Sequence, residues 1–258
     1  MKKIRCDRQG ITYKEFEEPE FVDPLIERQF NKISLEQYFT LSIVSHKFKE
    51  IAEYNKKNVT EITDGCNGWN GKNIKFIALK NLIKTSQNII ILNLSNCGLE
   101  ASHIFELRKL NFLRELNVAK NALYIDGTIA LTISLTINNN KKPNKLVSLN
   151  IAENYIGPIG TKSISKSFPN LHTLNIANNS IESVGADFIS EKLTNLHTLN
   201  IANNSIGYIG ARLIAEKMVN LKVFDIRNND IEKIGEDVIK AMPNYNNNKY
   251  TIFMSDTD

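Results

Sequence analysis

An eleven-letter phrase occurs twice in this chain: residues 171–181 and residues 196–206 both read LHTLNIANNSI. Looser copies place the starts of six units at Ile89, Leu113, Leu146, Leu171, Leu196 and Leu221. A unit of about 25 residues that recurs in register predicts a stack of equivalent structural elements, each contacting only its neighbours. Such a stack presents extended surfaces and seldom houses chemistry, so the repeat favours a binding protein.

Each unit follows the pattern L-x-x-L-x-L-x-x-N/C-x-L, with Cys97 in the first unit and an asparagine in the others, at Asn121, Asn154, Asn179, Asn204 and Asn229. The pattern resembles the leucine-rich repeat family, in which L-x-L is a short parallel strand and the Asn or Cys satisfies backbone groups at the following turn. The spacing agrees, since apolar residues two apart, such as Leu174 and Ile176, point to one face of a strand.

The second half of each unit changes to helical spacing, as at Val184, Phe188 and Ile189, and again at Ile209, Leu213 and Ile214. A glycine before each helix (Gly160, Gly185, Gly210, Gly235) is interpreted as the turn onto the convex side. A full helix per unit is similar to the ribonuclease-inhibitor subclass. The expected fold class is therefore α/β, a leucine-rich-repeat horseshoe with parallel strands on the concave side and helices on the convex side.

The N-terminal segment does not follow the repeat. Asp23 before Pro24 and the S-x-x-Q spacing of residues 34–37 predict starts of short amphipathic helices. Residues 21–52, FVDPLIERQFNKISLEQYFTLSIVSHKFKEIA, resemble an F-box, with Val22 standing where the family usually has Pro and Phe48 replacing the common Trp. The resemblance implies that a ligase adaptor would contact Phe21, Val22, Leu25, Ile26, Phe30, Ile33, Leu35, Tyr38, Leu41, Val44 and Phe48. The alternative is that these helices only cap the repeat stack.

These patterns predict five segments. They are an N-terminal extension (1–20), an α-helical F-box-like domain (21–54), a linker with a degenerate first repeat (55–88), the leucine-rich repeats (89–245) and a C-terminal cap and tail (246–258). A helix is expected at 76–86, a protruding polar loop at 136–144, and a last edge strand from Tyr250 to Met254. The role of the loop stays open between a tolerated insertion and a functional element.

The composition excludes several classes of protein. A net charge of +4 with interspersed signs does not suggest a nucleic-acid footprint, and no apolar run is long enough to span a membrane. Three widely separated cysteines (Cys6, Cys66, Cys97) fit free thiols in a reducing compartment, so a cytoplasmic location is expected.

No phosphate loop, zinc spacing or nucleophile elbow is present, so we expect no catalytic residues, no cofactor and no enzyme. His172 and His197 occupy equivalent positions in neighbouring units and could share a metal ion. The flanking units offer Val147 and Lys222 there, so a third ligand is lacking and no metal site is predicted.

What remains is a surface on the outward strand positions and on the loops that join strand to helix. The predicted target-binding residues are Arg114, Glu115, Lys120, Tyr124, Tyr155, His172, His197, Tyr208, Lys222 and Arg227. The tyrosines lie in the loops, which indicates that one rim contributes to binding beside the concave floor.

The F-box resemblance implies a substrate receptor that links an unidentified target protein to a cullin–RING (SCF) ubiquitin ligase through the F-box adaptor. An F-box combined with IANN repeats in an Asn-, Ile- and Lys-rich sequence suggests a bacterial effector secreted into host cytosol, and an amoebal or viral protein is the alternative origin. The alternative is a leucine-rich-repeat interaction adaptor with no ubiquitin role.

Overall fold

The computed structural model describes residues 3–5, 12–14, 32–33, 60–62, 76–86, 88–136, 145–242, 245 and 251–254. A short antiparallel pair joins β1 (Lys3–Arg5) to β2 (Thr12–Lys14). Nine further strands among these residues form one sheet in which every neighbouring pair runs parallel. They follow chain order: β3 (Lys32–Ile33), β4 (Glu61–Ile62), β5 (Ile91–Asn93), β6 (Glu115–Asn117), β7 (Ser148–Asn150), β8 (Thr173–Asn175), β9 (Thr198–Asn200), β10 (Val223–Asp225) and β11 (Thr251–Phe253).

Helices alternate with the strands from β4 onward. They are α1 (Phe76–Thr85), α2 (Ala101–Ile104) with a 3-10 turn (Phe105–Lys109), α3 (Tyr124–Thr136), α4 (Gly157–Ser167), α5 (Glu182–Lys192), α6 (Gly207–Lys217) and α7 (Glu232–Lys240). From α3 to α7 each helix packs on the helix of the next repeat. Stacked helices need roughly 8–10 Å between axes and paired strands about 4.8 Å, so the sheet lies on the concave side. The α/β repeat fold predicted from the sequence is confirmed.

The core is a continuous strip of aliphatic side chains between the sheet and the helices. The first leucine or isoleucine of every unit is buried, from Ile89 to Leu221, and so are the two apolar residues of each L-x-L. No helix among the described residues combines the length and apolar character needed to cross a bilayer.

A ladder of buried asparagines joins the repeats at the turn that leaves each strand. Asn179 shows the pattern: its Oδ1 accepts from the backbone N–H of Asn154 (3.0 Å) and of Ile156 (3.4 Å) in the preceding repeat. Its Nδ2 donates toward the carbonyls of Ile151, Ile176 and Ala177 at 3.0–3.1 Å. The same bonds recur in the ladder at Asn121, Asn154, Asn204 and Asn229.

The backbone carbonyls of the ladder residues also bind the start of the helix in the preceding repeat. The first N–H of helix α5, at Glu182, donates to the carbonyl of Asn204 at 3.0 Å, and Gly207 at the start of α6 donates to Asn229 at 2.9 Å. The following repeat thus supplies an acceptor for one of the N–H groups that have no partner within the helix. This bond is present at α4, α5 and α6, each of which has an isoleucine at its N-cap position.

The recurring glycines do not lie at the turn that the sequence suggested. Gly160, Gly185, Gly210 and Gly235 lie inside the first turn of their helices and are buried. A Cβ on Gly210 would lie 2.7 Å from the Cβ of Ile206 and 3.0 Å from that of Ala186 in the neighbouring helix. Glycine is therefore required here by close packing, and the interpretation as a turn residue is wrong.

Several other sequence predictions can be compared directly with the structure. The helix expected at 76–86 is present as α1, and the C-terminal strand as β11. Ile33, expected within the helical segment, lies instead in strand β3, which pairs with β4. Cys97 is disulfide-bonded, so the prediction of a free thiol is wrong there, and the thiol argument for a reducing compartment no longer supports a cytoplasmic location. The loop at 137–144 lies outside the described residues.

Replacement of Asn179 by alanine should destabilise the protein by about 3–5 kcal/mol, because buried N–H and C=O groups in two repeats lose their partner. Asn178→Gly is the matched control, since Asn178 is exposed and its φ of 57° suits glycine. Equilibrium urea unfolding measures both free energies. Equal midpoints for the two variants would contradict a structural role for the ladder.

Gly210→Ala should cost about 1–2 kcal/mol, because overpacking against two Cβ atoms outweighs the roughly 1 kcal/mol by which alanine favours a helix. Arg212→Ala, at an exposed position of the same helix, should change stability by less than about 0.5 kcal/mol. Thermal and urea unfolding provide the comparison, and a Gly210→Ala variant more stable than the parent chain would disprove the packing explanation.

Candidate interaction surface

The outward side chains of the sheet stand in rows that cross the repeats. The row just before the strands is held by backbone bonds: His172 N–H to Val147 O (2.9 Å), His197 N–H to His172 O (2.8 Å) and Lys222 N–H to His197 O (2.7 Å). Arg114 joins the same row, since its carbonyl accepts from Val147 N–H at 2.8 Å. Four of the predicted target-binding residues thus form one line, and Glu115 stands exposed in the next row.

His172 and His197 stack on each other, with ring centroids 5.3 Å apart and planes 3° from parallel. His172 Nδ1 lies 2.9 Å from the carbonyl of Asn170, whereas His197 Nδ1 is buried without a hydrogen-bond partner among the described residues. Parallel rings direct their nitrogens side by side and not toward one common point. Among the described residues no group of three His, Cys, Asp or Glu side chains could hold a metal ion. The geometry fits a contact surface better than a metal site.

The outward asparagines of the strands serve the backbone. The Oδ1 atoms of Asn117, Asn150, Asn175 and Asn200 each accept from the N–H two residues later at 3.0–3.2 Å. These bonds end the strands, so the repeated asparagines are explained by folding. Together with Ser148, Thr173 and Thr198 they make the middle of the concave floor polar and uncharged.

The C-terminal end of the floor has a different chemistry. At the position of the outward asparagines stands Asp225, which is buried and receives two bonds from Arg227, Nε to Oδ1 at 2.9 Å and Nη2 to Oδ2 at 2.6 Å. This carboxylate raises the pKa of the Arg227 guanidinium above its ordinary value, so Arg227 stays charged. The guanidinium also lies 5.3 Å from the ring centre of Phe253.

Phe253 is a surface residue that the sequence pattern does not reveal. The last edge strand predicted from Tyr250 to Met254 is present as β11, which continues the sheet in register and pairs Phe253 with Asp225. The ring therefore takes the outward position and is 42% exposed. Alignment of residues 251–253 (TIF) with residues 223–225 (VFD) would have predicted that the Phe253 ring points outward. Aromatic and arginine side chains are the commonest interface anchors.

The rim where strands lead into helices carries the remaining predicted residues. Tyr124 and Tyr155 stack with centroids 5.6 Å apart, both more than half exposed, and Lys120 forms an ion pair with Glu153 at 3.4 Å. Tyr208 is exposed two repeats further on. Val184 and Ile209, which the sequence places at helical spacing, are also exposed on this rim.

Of the predicted adaptor-binding residues, only Ile33 is described, as part of strand β3. The other ten lie outside the described residues: Phe21, Val22, Leu25, Ile26, Phe30, Leu35, Tyr38, Leu41, Val44 and Phe48.

Comparison with known proteins agrees with this geometry. Residues 169–213 match the family model for Leucine Rich repeats (2 copies). This chain contains leucine-rich repeats. Comparison of its sequence with curated proteins gives no match.

Three solved structures are similar to this chain at low sequence identity. The leucine-rich repeat-containing protein LegL7 from Legionella pneumophila has a TM-score of 0.54 and 15% identity, covering 83% of this chain and 70% of its own. The TLR13–ssRNA13 complex gives a TM-score of 0.46 and 20% identity over 72% of this chain, which spans 27% of that chain. An internalin (InlF) from Listeria monocytogenes gives 0.43 and 16%, over 80% of this chain and 64% of that one. At 15% identity the likeness to LegL7 concerns the fold alone.

Proposed function

We propose that this leucine-rich-repeat chain is a binding scaffold that holds a partner protein on its concave face. The observation that carries the proposal is the C-terminal end of the floor, where Phe253 and Arg227 lie together and exposed beside the buried carboxylate of Asp225. The carboxylate and the ring hold the guanidinium in place, which lowers the entropy lost on binding.

The composition of the floor indicates where partner contacts concentrate. Its centre offers hydroxyl and amide groups that are already used in part by the backbone, so it supplies shape and a few hydrogen bonds. The charged side chains stand at the two ends, with Arg114 and Glu115 at one and Lys222 and Arg227 at the other. We expect the partner to bridge these ends and to place an acidic group against Lys222 and Arg227. A repeat fold of this kind typically acts as a scaffold and carries no catalysis of its own.

Phe253→Ser should reduce capture of a concave-face partner by at least about tenfold, because truncating an interface anchor costs about 2 kcal/mol. Arg227→Ala should reduce it as well. Arg212→Ala is the matched control, since both arginines are 51% exposed and ion-paired, but Arg212 lies on a helix on the other side. Affinity capture with quantitative mass spectrometry compares the variants, with thermal unfolding to show that each is folded. Equal recovery of the same proteins by all variants would rule out the concave face.

For the N-terminal segment we propose that residues 21–52 act as an F-box that binds the adaptor of a cullin–RING ubiquitin ligase, so that the captured protein becomes a ubiquitination target. The apolar pattern of this segment supports the proposal, including IVSHKFKEIA near its end. The strand at Lys32–Ile33 counts against a helix at that point. A chain of this design would act as a bacterial effector in host cytosol. The competing proposal is an interaction adaptor with no ubiquitin role, in which this segment caps the array.

Co-purification with the F-box adaptor distinguishes the two proposals. The unmutated chain and Glu27→Ala/Arg28→Ala should both bring down the adaptor, whereas Leu25→Ala/Ile26→Ala should not, because only the second pair removes apolar contact area. Both double variants alter neighbouring positions of one segment, so they are matched in location. Failure of the unmutated chain to bind the adaptor would leave the interaction adaptor as the function.

A further inference from the structure

The rim consists of five equivalent segments, each running from the ladder turn into a helix: 120–126, 153–159, 178–184, 203–209 and 228–234. The last residue of the final four is an aliphatic side chain that lies in solvent: Ile159, Val184, Ile209 and Ile234, each 43–58% exposed. Each precedes the buried helix glycine, so the four occupy one position in four consecutive repeats. Single exposed aliphatics are ordinary, but a row of four, widened by Tyr208, marks an interaction surface.

The fold itself does not require an apolar residue at this position. In the repeat before the row, Asp126 precedes Gly127 in the same place and is exposed. The repeat thus accepts an aspartate at the position of the aliphatic row. We call these four residues the rim stripe.

Acidic side chains flank the rim stripe, although the chain as a whole carries a net charge of +4. The five segments contain five exposed carboxylates, at Asp126, Glu153, Glu182, Asp230 and Glu232, and two lysines, at Lys120 and Lys233. Lys120 is paired with Glu153, and Lys233 with Asp237 and Glu236 of its own helix. Among the described residues the other four rim carboxylates have no cationic partner, which leaves them available to a cation from outside the chain.

Two of these carboxylates stand where the backbone would favour glycine. Glu182 and Glu232 have φ values of 59° and 57°, in the left-handed region. The equivalent residues Gly157 and Gly207 adopt φ near 60°, and a Cβ added to either would meet open space. A side chain there requires a left-handed backbone that glycine adopts more easily, and a carboxylate in the first helical turn is favoured by the helix dipole. The two glutamates are thus kept at a helix start with their carboxylates exposed to solvent.

We propose that the rim stripe and its carboxylates bind a basic amphipathic helix of a partner protein, independently of the concave face. Neighbouring helices of the array are roughly 8–10 Å apart. A helix lying along the rim presents residues i and i+7 about 10.5 Å apart. One apolar residue of the bound helix thus meets each repeat, while its flanking lysines or arginines face Glu182, Asp230 and Glu232.

The test uses two synthetic helical peptides of about 22 residues, the length that spans four repeats at 1.5 Å per residue. Both carry leucine on one face, and the flanks are lysine in one peptide and glutamate in the other. Fluorescence anisotropy should show binding of the basic peptide and at least about tenfold weaker binding of the acidic one. Equal affinities for the two peptides, or no binding of the basic one, would overturn the proposal.

Variants separate the apolar from the charged contribution. Val184→Asp/Ile209→Asp copies the natural Asp126 and should weaken the basic peptide about tenfold despite adding negative charge. Glu182→Gly/Glu232→Gly should weaken it roughly threefold or more at low salt and leave folding stability unchanged or higher. An aspartate variant that binds as well as the parent chain would show that only charge attracts the peptide and would refute the stripe.

Phe253→Ser is the control variant on the concave face for the peptide-binding measurements. It should leave the affinity for the basic peptide unchanged, because Phe253 stands on the concave floor. A failure of the rim proposal is thereby distinguishable from a failure of the concave-face proposal. Loss of peptide binding in Phe253→Ser would place the peptide on the floor and overturn the rim assignment.

Discussion

The structure depends on the need to satisfy backbone polar groups at the turn between strand and helix. Buried N–H and C=O groups at this turn have no partner within their own strand or helix. The ladder asparagines satisfy them, by accepting from the preceding repeat and donating to carbonyls of both. A primary amide is suited to this task, since it carries an acceptor with two lone pairs and two donors on one short side chain. Register, strand position and helix start all follow from these bonds.

Much of this was readable from the sequence because it repeats. Leu174 and Ile176, two residues apart, indicate the strand, and the ladder asparagine, which recurs every 25 residues from Asn154 to Asn229, marks the turn. The helix glycine was misread because a glycine near a helix start usually signals a turn, whereas Gly210 is required by contacts across repeats. Ile33 was misread because three or four residues of apolar pattern fit a helix or a strand equally well. Cys97 illustrates that a disulfide cannot be inferred from three separated cysteines.

The candidate surface was predicted in part. Equivalent strand positions lie in one row in any parallel stack, so the alignment of His172 with His197 followed from register alone. Phe253 was missed because β11 lacks the repeat phrase, although it continues the sheet. The exposure of Val184 and Ile209 was missed because helical spacing identifies a face without saying whether that face meets the core. In this stack each helix also packs against the helices of the neighbouring repeats, so the exposure of a side chain depends on how those helices cover it.

The ladder also sets the order in which the repeats can be completed during synthesis. Each turn is completed by an oxygen from the repeat that follows it in the chain, as Asn204 completes the turn of Asn179. During synthesis on the ribosome the N-terminal repeats emerge first, and the N–H groups of each new turn stay bonded to water until the next repeat, about 25 residues later, has emerged. The growing chain therefore always ends in one unfinished repeat whose turn is still open to solvent.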